Sequence, residues 1–319
     1  MVTGGAGYIG SHVVRELSAA GIPVVVYDNL CTGVRAFIPD AVVFVEADLL
    51  DTGALRAALG ENSVTGVIHI AGFKFAGLSV EQPIHTYQQN VTAMMSLLEA
   101  MNAEGVQKIV FSSSSSVYGN AASGLVEEDH PVNPTSPYGE SKVIGEWLLR
   151  NQGVATGLVH TSLRYFNVVG SADPTLPDVS PYNLFSMVFA GLEENRKPVI
   201  FGDDYDTSDG TCIRDYIHVS DLAAAHVSAA QRMDRGEPIE HAYNLGSGTG
   251  TSVAEMMASI ARVTGVDFVP EIGPRRAGDP ARVVASGVKA GRDIDWSMRF
   301  SLDDMISSAF EARANLPKS

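Results

Sequence analysis

Along the first half of the chain, short β-branched runs alternate with amphipathic stretches, the pattern of parallel strands joined by crossover helices. The runs predict strands at Pro23–Asp28, Val42–Glu46, Gly66–Ile70, Lys108–Ser113 and Gly157–Tyr165. Between them, Ile9, Val13 and Leu17 recur every four residues, and Val91, Met94, Leu98 and Met101 keep a similar helical spacing. Each set predicts one buried stripe of a helix, which is core and not a row of ligand contacts. After about Asn167 the texture changes: Pro174, Pro177, Pro181 and Pro198 punctuate the chain, and Asp203–Gly210 reads as an acidic, glycine-containing loop. Beyond it, His218–Ala230 predicts a helix, His241–Leu245 a strand, and Ser252 the cap of a helix running to about Val263. The expected fold class is α/β: a Rossmann-type doubly wound parallel sheet over 1–168, and a smaller C-terminal domain over 169–319. Of the latter, about 217–246 is expected to pack back on the first domain.

At 319 residues and 45% hydrophobic content the chain can bury a full core, and its length fits about two domains. No run approaches the roughly 18 consecutive apolar residues of a membrane span, and Gly4, Gly5 and Gly7 occupy the place of a signal peptide's apolar stretch. A cytoplasmic location is therefore expected. Cys31 and Cys212 lie far apart and form no metal-ligand spacing, so two reduced thiols are expected, with no disulfide framework and no metal. A net charge of -15 and a pI near 4.9 argue against nucleic acid or an anionic membrane as partner. An anionic small substrate would need a local basic pocket, which makes the few arginines more informative than the net charge.

Thr3-Gly4-Gly5-Ala6-Gly7-Tyr8-Ile9-Gly10 opens the chain and reads as GxxGxxG from Gly4 or GxGxxG from Gly5. Glycines there allow a tight strand-to-helix turn and close backbone approach to a pyrophosphate, which the helix N–H groups and dipole then stabilise. Alone, the pattern is equally that of an ordinary glycine-rich turn. The next strand adds weight, because Val24-Val25-Val26-Tyr27-Asp28 ends in an acid 18 positions beyond Gly10. A carboxylate at about that spacing hydrogen-bonds the adenosine ribose and repels a 2′-phosphate, so NAD is expected over NADP. Asp48, after the third strand, is placed to accept from the adenine amino group. Only Met1 and Val2 precede the turn, where a buried strand usually has five or so residues, so the central strand is expected to be short.

Ser136-Pro137-Tyr138-Gly139-Glu140-Ser141-Lys142 places Tyr138 and Lys142 at i and i+4, neighbours on one helix face. A tyrosine working as a base near neutral pH needs its pKa lowered by roughly 3 units, or about 4 kcal/mol. A lysine ammonium and a positive nicotinamide ring can supply this by stabilising the phenolate. The pair follows the fifth strand, which runs into Ser112–Ser116 and then Val117-Tyr118-Gly119. A hydroxyl at the carboxyl end of that strand faces the cofactor crevice. Ser114 is the expected partner of the reacting oxygen, and the other serines read as a polar loop.

Together with these, the chain carries YDNL around Asp28, AGFK at Ala71–Lys74, LRYFNVVG at Leu163–Gly170, FGDDY at Phe201, DGTCIRDYIHVSDLA from Asp209, YNLGSGTG from Tyr243 and RRAGDPA from Arg275. In these segments it resembles the extended short-chain dehydrogenase/reductase family and, within it, the UDP-glucose 4-epimerase (UDP-galactose 4-epimerase) branch. The resemblance implies Tyr138 as acid/base, Lys142 as its activator and Ser114 as a bridging hydroxyl. It implies NAD held along Gly4, Gly7, Tyr8, Ile9, Gly10, Asp28, Asn29, Asp48 and Leu49, then Ala71, Lys74, Asn90, Tyr138, Lys142 and Tyr165. For a UDP-hexose it implies Asn167, Asn183 and Leu184 at the sugar diphosphate, Arg214 and Arg276 at the phosphates, Phe201 and Tyr216 as lining, and Asp279 at the uridine ribose. Paired guanidinium donors suit phosphate oxygens.

The implied reaction is NAD-dependent oxidation at C4 to a 4-keto sugar, rotation about the sugar–diphosphate linkage, and return of the hydride to the other face. This would interconvert UDP-glucose and UDP-galactose. Dehydratases of the same fold typically carry an Asp-Glu pair before the VYG element, whereas this chain has Ser115-Ser116, which disfavours elimination. Epimerisation of another UDP-hexose, such as UDP-N-acetylglucosamine or UDP-glucuronate, stays open, as does a non-catalytic NAD-binding regulator on the same scaffold. The resemblance also implies a homodimer packed through helices of the cofactor domain.

Overall fold

The computed structural model describes residues 1–120, 125–181, 183–276 and 279–316; Ala277 and Gly278 of the RRAGDPA segment fall outside the described residues. The first half runs β1 (Val2–Thr3), α1 (Tyr8–Ala19), β2 (Val25–Asp28), β3 (Val43–Glu46), α2 (Thr52–Glu61), β4 (Val67–His69), α3 (Ala76–Glu81), α4 (Pro83–Tyr87), α5 (Ala93–Ala103) and β5 (Lys108–Ser112). It continues through β6 (Leu125–Val126), α6 (Pro137–Thr156) and β7 (Val159–Tyr165). The second half holds β8 (Asn167–Val169), α7 (Leu184–Glu193), β9 (Val199–Phe201), β10 (Ile213–Arg214), β11 (Tyr216–His218), α8 (Val219–Asp234) and β12 (Ala242–Leu245). After these come β13 (Thr251–Ser252), α9 (Val253–Thr264), β14 (Glu271–Gly273), β15 (Arg282–Ala285), α10 (Val288–Ile294) and α11 (Leu302–Arg313).

The main sheet has the order β12-β7-β5-β4-β1-β2-β3 with parallel pairing throughout. From β1 the chain winds outward to β3 on one side and then, from β4, outward on the other. The reversal between β1 and β4 opens a crevice at the strands' carboxyl ends, where ligands of such sheets bind. Alternation along the strands feeds two cores. Val26, Ile68, Val110 and Leu163 pack with α1 and α8 through Val13, Val14, Leu17, Leu222 and Ala225. Val25, Tyr27, Ile109 and Phe111 pack with α2 and α5 through Leu55, Leu59, Met94, Leu97 and Met101. Both faces are therefore buried, which is why these strands read as continuous apolar runs. The fold is the α/β, doubly wound arrangement expected from the pattern.

β1 is only two residues long, although it lies mid-sheet: Val2 pairs with Val26 on one side and Ile68 on the other. Other boundaries moved for local reasons. Gly157 does not start β7; at φ +79° it ends α6 in the left-handed conformation that favours glycine. The helix expected from His218 begins at Val219, with the His218 ring accepting from Ser220 N, and runs on to Asp234. Ser252 caps α9 in a reciprocal box with Glu255. β12 pairs with β7 at the sheet edge, and α8 packs on α1.

A third core, formed by Phe185, Phe189, Ile200, Met256, Met257, Ile260, Met305 and Ile306, holds the remaining elements together. β10 pairs with β13 and β15, β15 with β6, β8 with β11, and β9 with β14. These strands of two to four residues are too short to show a period in the sequence.

Candidate active site

The glycine turn is fixed by contact. A Cβ on Gly10 would lie 2.0 Å from the Gly4 carbonyl oxygen, and one on Gly4, at φ +71°, would lie 2.6 Å from Ala71 N. α1 then starts at Tyr8 with Gly7 as its cap residue and no side chain capping its first N–H groups. Bare helical N–H groups above a turn of this width suit a pyrophosphate. Asp28 ends β2 beside it, accepting from Ala6 N at 3.0 Å and Leu30 N at 2.8 Å. Burial pushes its carboxyl above the ordinary range, opposed by those two N–H groups. Asn29 donates to Asp48 at 2.8 Å, so the ends of β2 and β3 are tied next to buried Leu49. The donor set fits a dinucleotide whose ribose meets Asp28.

Not every residue assigned to that cofactor points along the turn. The Tyr8 hydroxyl donates to the Gly170 carbonyl at 2.5 Å, joining the start of α1 to the second lobe. Ala71 bonds Thr3 O through its backbone N–H, and the Lys74 ammonium lies 5.7 Å from the Phe75 ring centre. Asn90 sits in a π turn, Gln88–Thr92, leading into α5. Its side chain holds Phe73 N at 2.6 Å, Phe73 O at 3.0 Å and Ser141 Oγ at 2.8 Å, binding the Gly72–Phe73 loop to α6. Single π turns often sit at functional sites.

Ser136 caps α6 by accepting from Gly139 N, with Pro137 in the first turn, so the helix begins where Tyr138 must face the crevice. Tyr138, Lys142 and Ser114 meet at the carboxyl end of β5. The phenol is hydrogen-bonded to the Ser114 side chain. The Lys142 ammonium donates to Ser112 O at 2.8 Å and lies 4.8 Å from the Phe111 ring centre and 5.7 Å from that of Tyr138. Burial pulls Lys142 down to about 8, with the Glu146 charge opposing. Burial pushes the Tyr138 phenol up, and the Ser114 bond opposes it. The expected downward pull of Lys142 on the phenol is thus not what the protein groups alone produce. Desolvation of the phenolate is larger, so a further positive charge is needed beside the phenol.

Tyr165, at the end of β7, hydrogen-bonds the Ser112 side chain; burial and the neighbouring Tyr138 push its phenol far up. The serine run is not the polar loop that composition implied. Ser112 Oγ pairs with buried His226 Nε2 at 2.7 Å, and Ser113 Oγ donates to Glu146 at 2.6 Å. Glu146 carries no sequence motif of its own, and its partner Arg164 stands in the LRYFNVVG segment without an assigned role. The one signal of Glu146 is that it follows Lys142 by four residues on the same helix face.

In the second half of the chain, the Asn167 amide donates to Asp215 O at 2.8 Å. The Asp215 carboxyl is fully buried, accepts from Ser247 N and Ala285 N, and is raised by desolvation. Asn167 and Tyr216 pair between β8 and β11, which places the segment after Tyr165 next to the strand following Arg214. Arg214 Nη2 lies 3.2 Å from Asp279 Oδ1, and the Arg276 guanidinium stacks 4.2 Å over the Phe201 ring centre. Two arginines, an acid and an aromatic face therefore share one wall of an acidic protein. The Asn183 amide bonds the Asp178 carboxylate at the start of α7, next to Leu184; burial pushes the Tyr216 phenol far up.

A model of the NAD dependent epimerase/dehydratase family matches residues 1–246. The UDP-glucose 4-epimerase of Lacticaseibacillus casei is 39% identical over 324 residues, covering 99% of this chain and 97% of that protein. Two solved structures are similar throughout. The UDP-glucose 4-epimerase of Stenotrophomonas maltophila with bound NAD and formylated UDP-arabinopyranose has a TM-score of 0.92 at 39% identity, over 98% of this chain and 97% of that one. That of Brucella ovis in complex with NAD has a TM-score of 0.92 at 39% identity, over 97% and 96%.

Proposed function

The chain belongs to the NAD dependent epimerase/dehydratase family, and from that premise we propose that it interconverts UDP-glucose and UDP-galactose by oxidation and re-reduction at C4. The observation that carries this reading is the meeting of Tyr138, Lys142 and Ser114 at the end of β5, in a chain whose second half pairs Arg214 with Asp279 and stacks Arg276 on Phe201. Asp28, the glycine turn, Asn90 and Lys142 would hold NAD. When bound, NAD would supply hydride chemistry at C4 and a positive ring that favours the Tyr138 phenolate. Tyr138 takes the proton of the sugar hydroxyl at its phenolic oxygen and gives the same proton back. Ser114 shares that hydrogen bond, and Lys142 holds positive charge beside the ring. Arg214 and Arg276 would anchor the diphosphate while the 4-keto sugar presents its other face. Ser115 and Ser116 offer no acid for elimination. Residues 1–168 would serve as the NAD-binding domain and 169–319 as the nucleotide-sugar domain, with 217–246 returning to the first.

Purified protein incubated with UDP-galactose, without added reductant, is expected to form UDP-glucose. Absence of conversion by folded, NAD-loaded protein would remove the proposal. A parallel assay with UDP-N-acetylgalactosamine decides the neighbouring substrate class.

We further infer a homodimer. Trp147 and Val154, 51% and 87% exposed, share one stripe of α6, and Met95 of α5, Val80 and Ile84 are also exposed. Exposed apolar residues spread over these four cofactor-domain helices, α3 to α6, suit a self-complementary contact. Trp147→Glu is expected to halve the mass seen in sedimentation equilibrium; an unchanged dimer would place the contact elsewhere. Cytoplasmic residence accords with free Cys31 and Cys212.

A further inference from the structure

We propose that Glu146, gripped by Arg164, is a positioning residue for the reacting set: it locks the serine end of β5 to α6 and places a buried negative charge one helical turn from Lys142. This rests on the reading of Tyr138, Lys142 and Ser114 as that set.

The side chains of Arg164 and Glu146 are 7% and 13% exposed. Glu146 Oε1 accepts from Ser113 Oγ at 2.6 Å and Arg164 Nε at 2.9 Å, and Oε2 accepts from Arg164 Nη2 at 2.6 Å. Arg164 Nη1 continues to the Tyr118 hydroxyl at 2.8 Å, which donates to Asn244 at 2.7 Å. A buried ion pair of this kind gains little over a well-packed apolar pair, so stability alone is a weak reason for it. Its position supplies a better one. Ser113 lies between Ser112, whose carbonyl receives Lys142, and Ser114, whose hydroxyl bonds the Tyr138 phenol. Ser113 N is itself tied to Leu163 O at 2.9 Å. A shift of Ser113 therefore displaces the partners of both reacting side chains.

The charge acts as well. Facing Lys142 are Tyr138 and Glu146 on its own helix, Phe111 and Ser112 of β5, His69 of β4, and Asn90 near the Gly72 loop. His69 is neutral, held down to about 3 by burial and by the Lys142 charge. Glu146 is the carboxylate acting against desolvation, and its charge favours the protonated form of Lys142.

The test is kcat and KM against pH, with UDP-galactose, for Glu146→Gln and for the paired Glu146→Gln/Arg164→Gln. The pair removes both charges, so it keeps the test open if the single variant, which strands a buried guanidinium, does not fold. The alkaline limb of kcat is expected to move down by about one pH unit, with roughly fivefold lower kcat at pH 8 and little change in KM. Folded variants whose pH profile overlays the parent, or whose loss is confined to KM, overturn the proposal. A parent enzyme that does not turn over UDP-galactose overturns the proposed reaction instead.

Discussion

Tyr138→Phe is expected to lower turnover of UDP-galactose by about 10³-fold while leaving NAD binding and thermal stability close to the parent's. Proton transfer by a positioned side chain contributes roughly 10²–10⁴ in rate, and the substitution removes only the transferring oxygen. The ring itself is buried and sits against the Lys142 ammonium, so its apolar contacts survive in Phe. Ser114 keeps a second partner, accepting from Ser116 N and donating to Ser116 Oγ at 3.2 Å, so it is not left unsatisfied. The glycine turn and Asp28 lie on β1, α1 and β2, away from the change. Bound nucleotide, measured after denaturation, should match the parent's. Near-parental turnover would mean that a different group moves the proton. Loss of bound nucleotide along with activity would mean that Tyr138 acts mainly in holding the cofactor.

The contrast between Tyr138 and Glu146 shows what can be read from one sequence. The phosphate turn, Asp28 and the Tyr138–Lys142 pair are legible because their spacing is set locally, by a turn or by successive helical positions. The parallel strands are legible because both faces are buried, giving runs such as Val24–Tyr27. Glu146 and Arg164 lie 18 residues apart, on α6 and β7, and only the packing of that helix on that strand brings them together. The same holds for Ser112 and His226, which lie 114 residues apart. The small strands of the second lobe escape for another reason: at two to four residues, their partners and not their own periodicity make them strands. Spacing likewise reveals the lysine beside Tyr138 but not the depth of burial, which pushes the phenol up where the protein groups act alone.

Acidification from pH 7.5 to 5 is expected to unfold the protein, because His12, His69, His160, His218 and His226 are all buried and neutral. Burial pulls His69 down to about 3 and the other four to about 4. Their bonds reinforce this. His12 Nε2 accepts from Ala172 N at 3.1 Å and His218 Nδ1 from Ser220 N at 3.0 Å, and a proton on either nitrogen would break the bond. Because these folded pKa values lie below the unfolded value of about 6.5, their contribution is fully present above pH 6.5. It is lost as pH falls towards 4, because the unfolded chain takes up protons that the folded one refuses. At pH 5 each histidine accounts for about 2 kcal/mol, and five reach on the order of 10 kcal/mol, comparable with the whole 5–15 kcal/mol of a typical domain. Asp28 and Asp215, raised by burial, act in the opposite sense, but they are two groups against five. Urea midpoints followed across this range should fall steeply below pH 6.5, with a slope corresponding to uptake of several protons on unfolding. A midpoint unchanged between pH 6.5 and 5 would show that these rings are already charged, or solvated, in the folded protein. Since His226 sits on Ser112, whose carbonyl holds Lys142, activity should fall with the same protons that undo the fold.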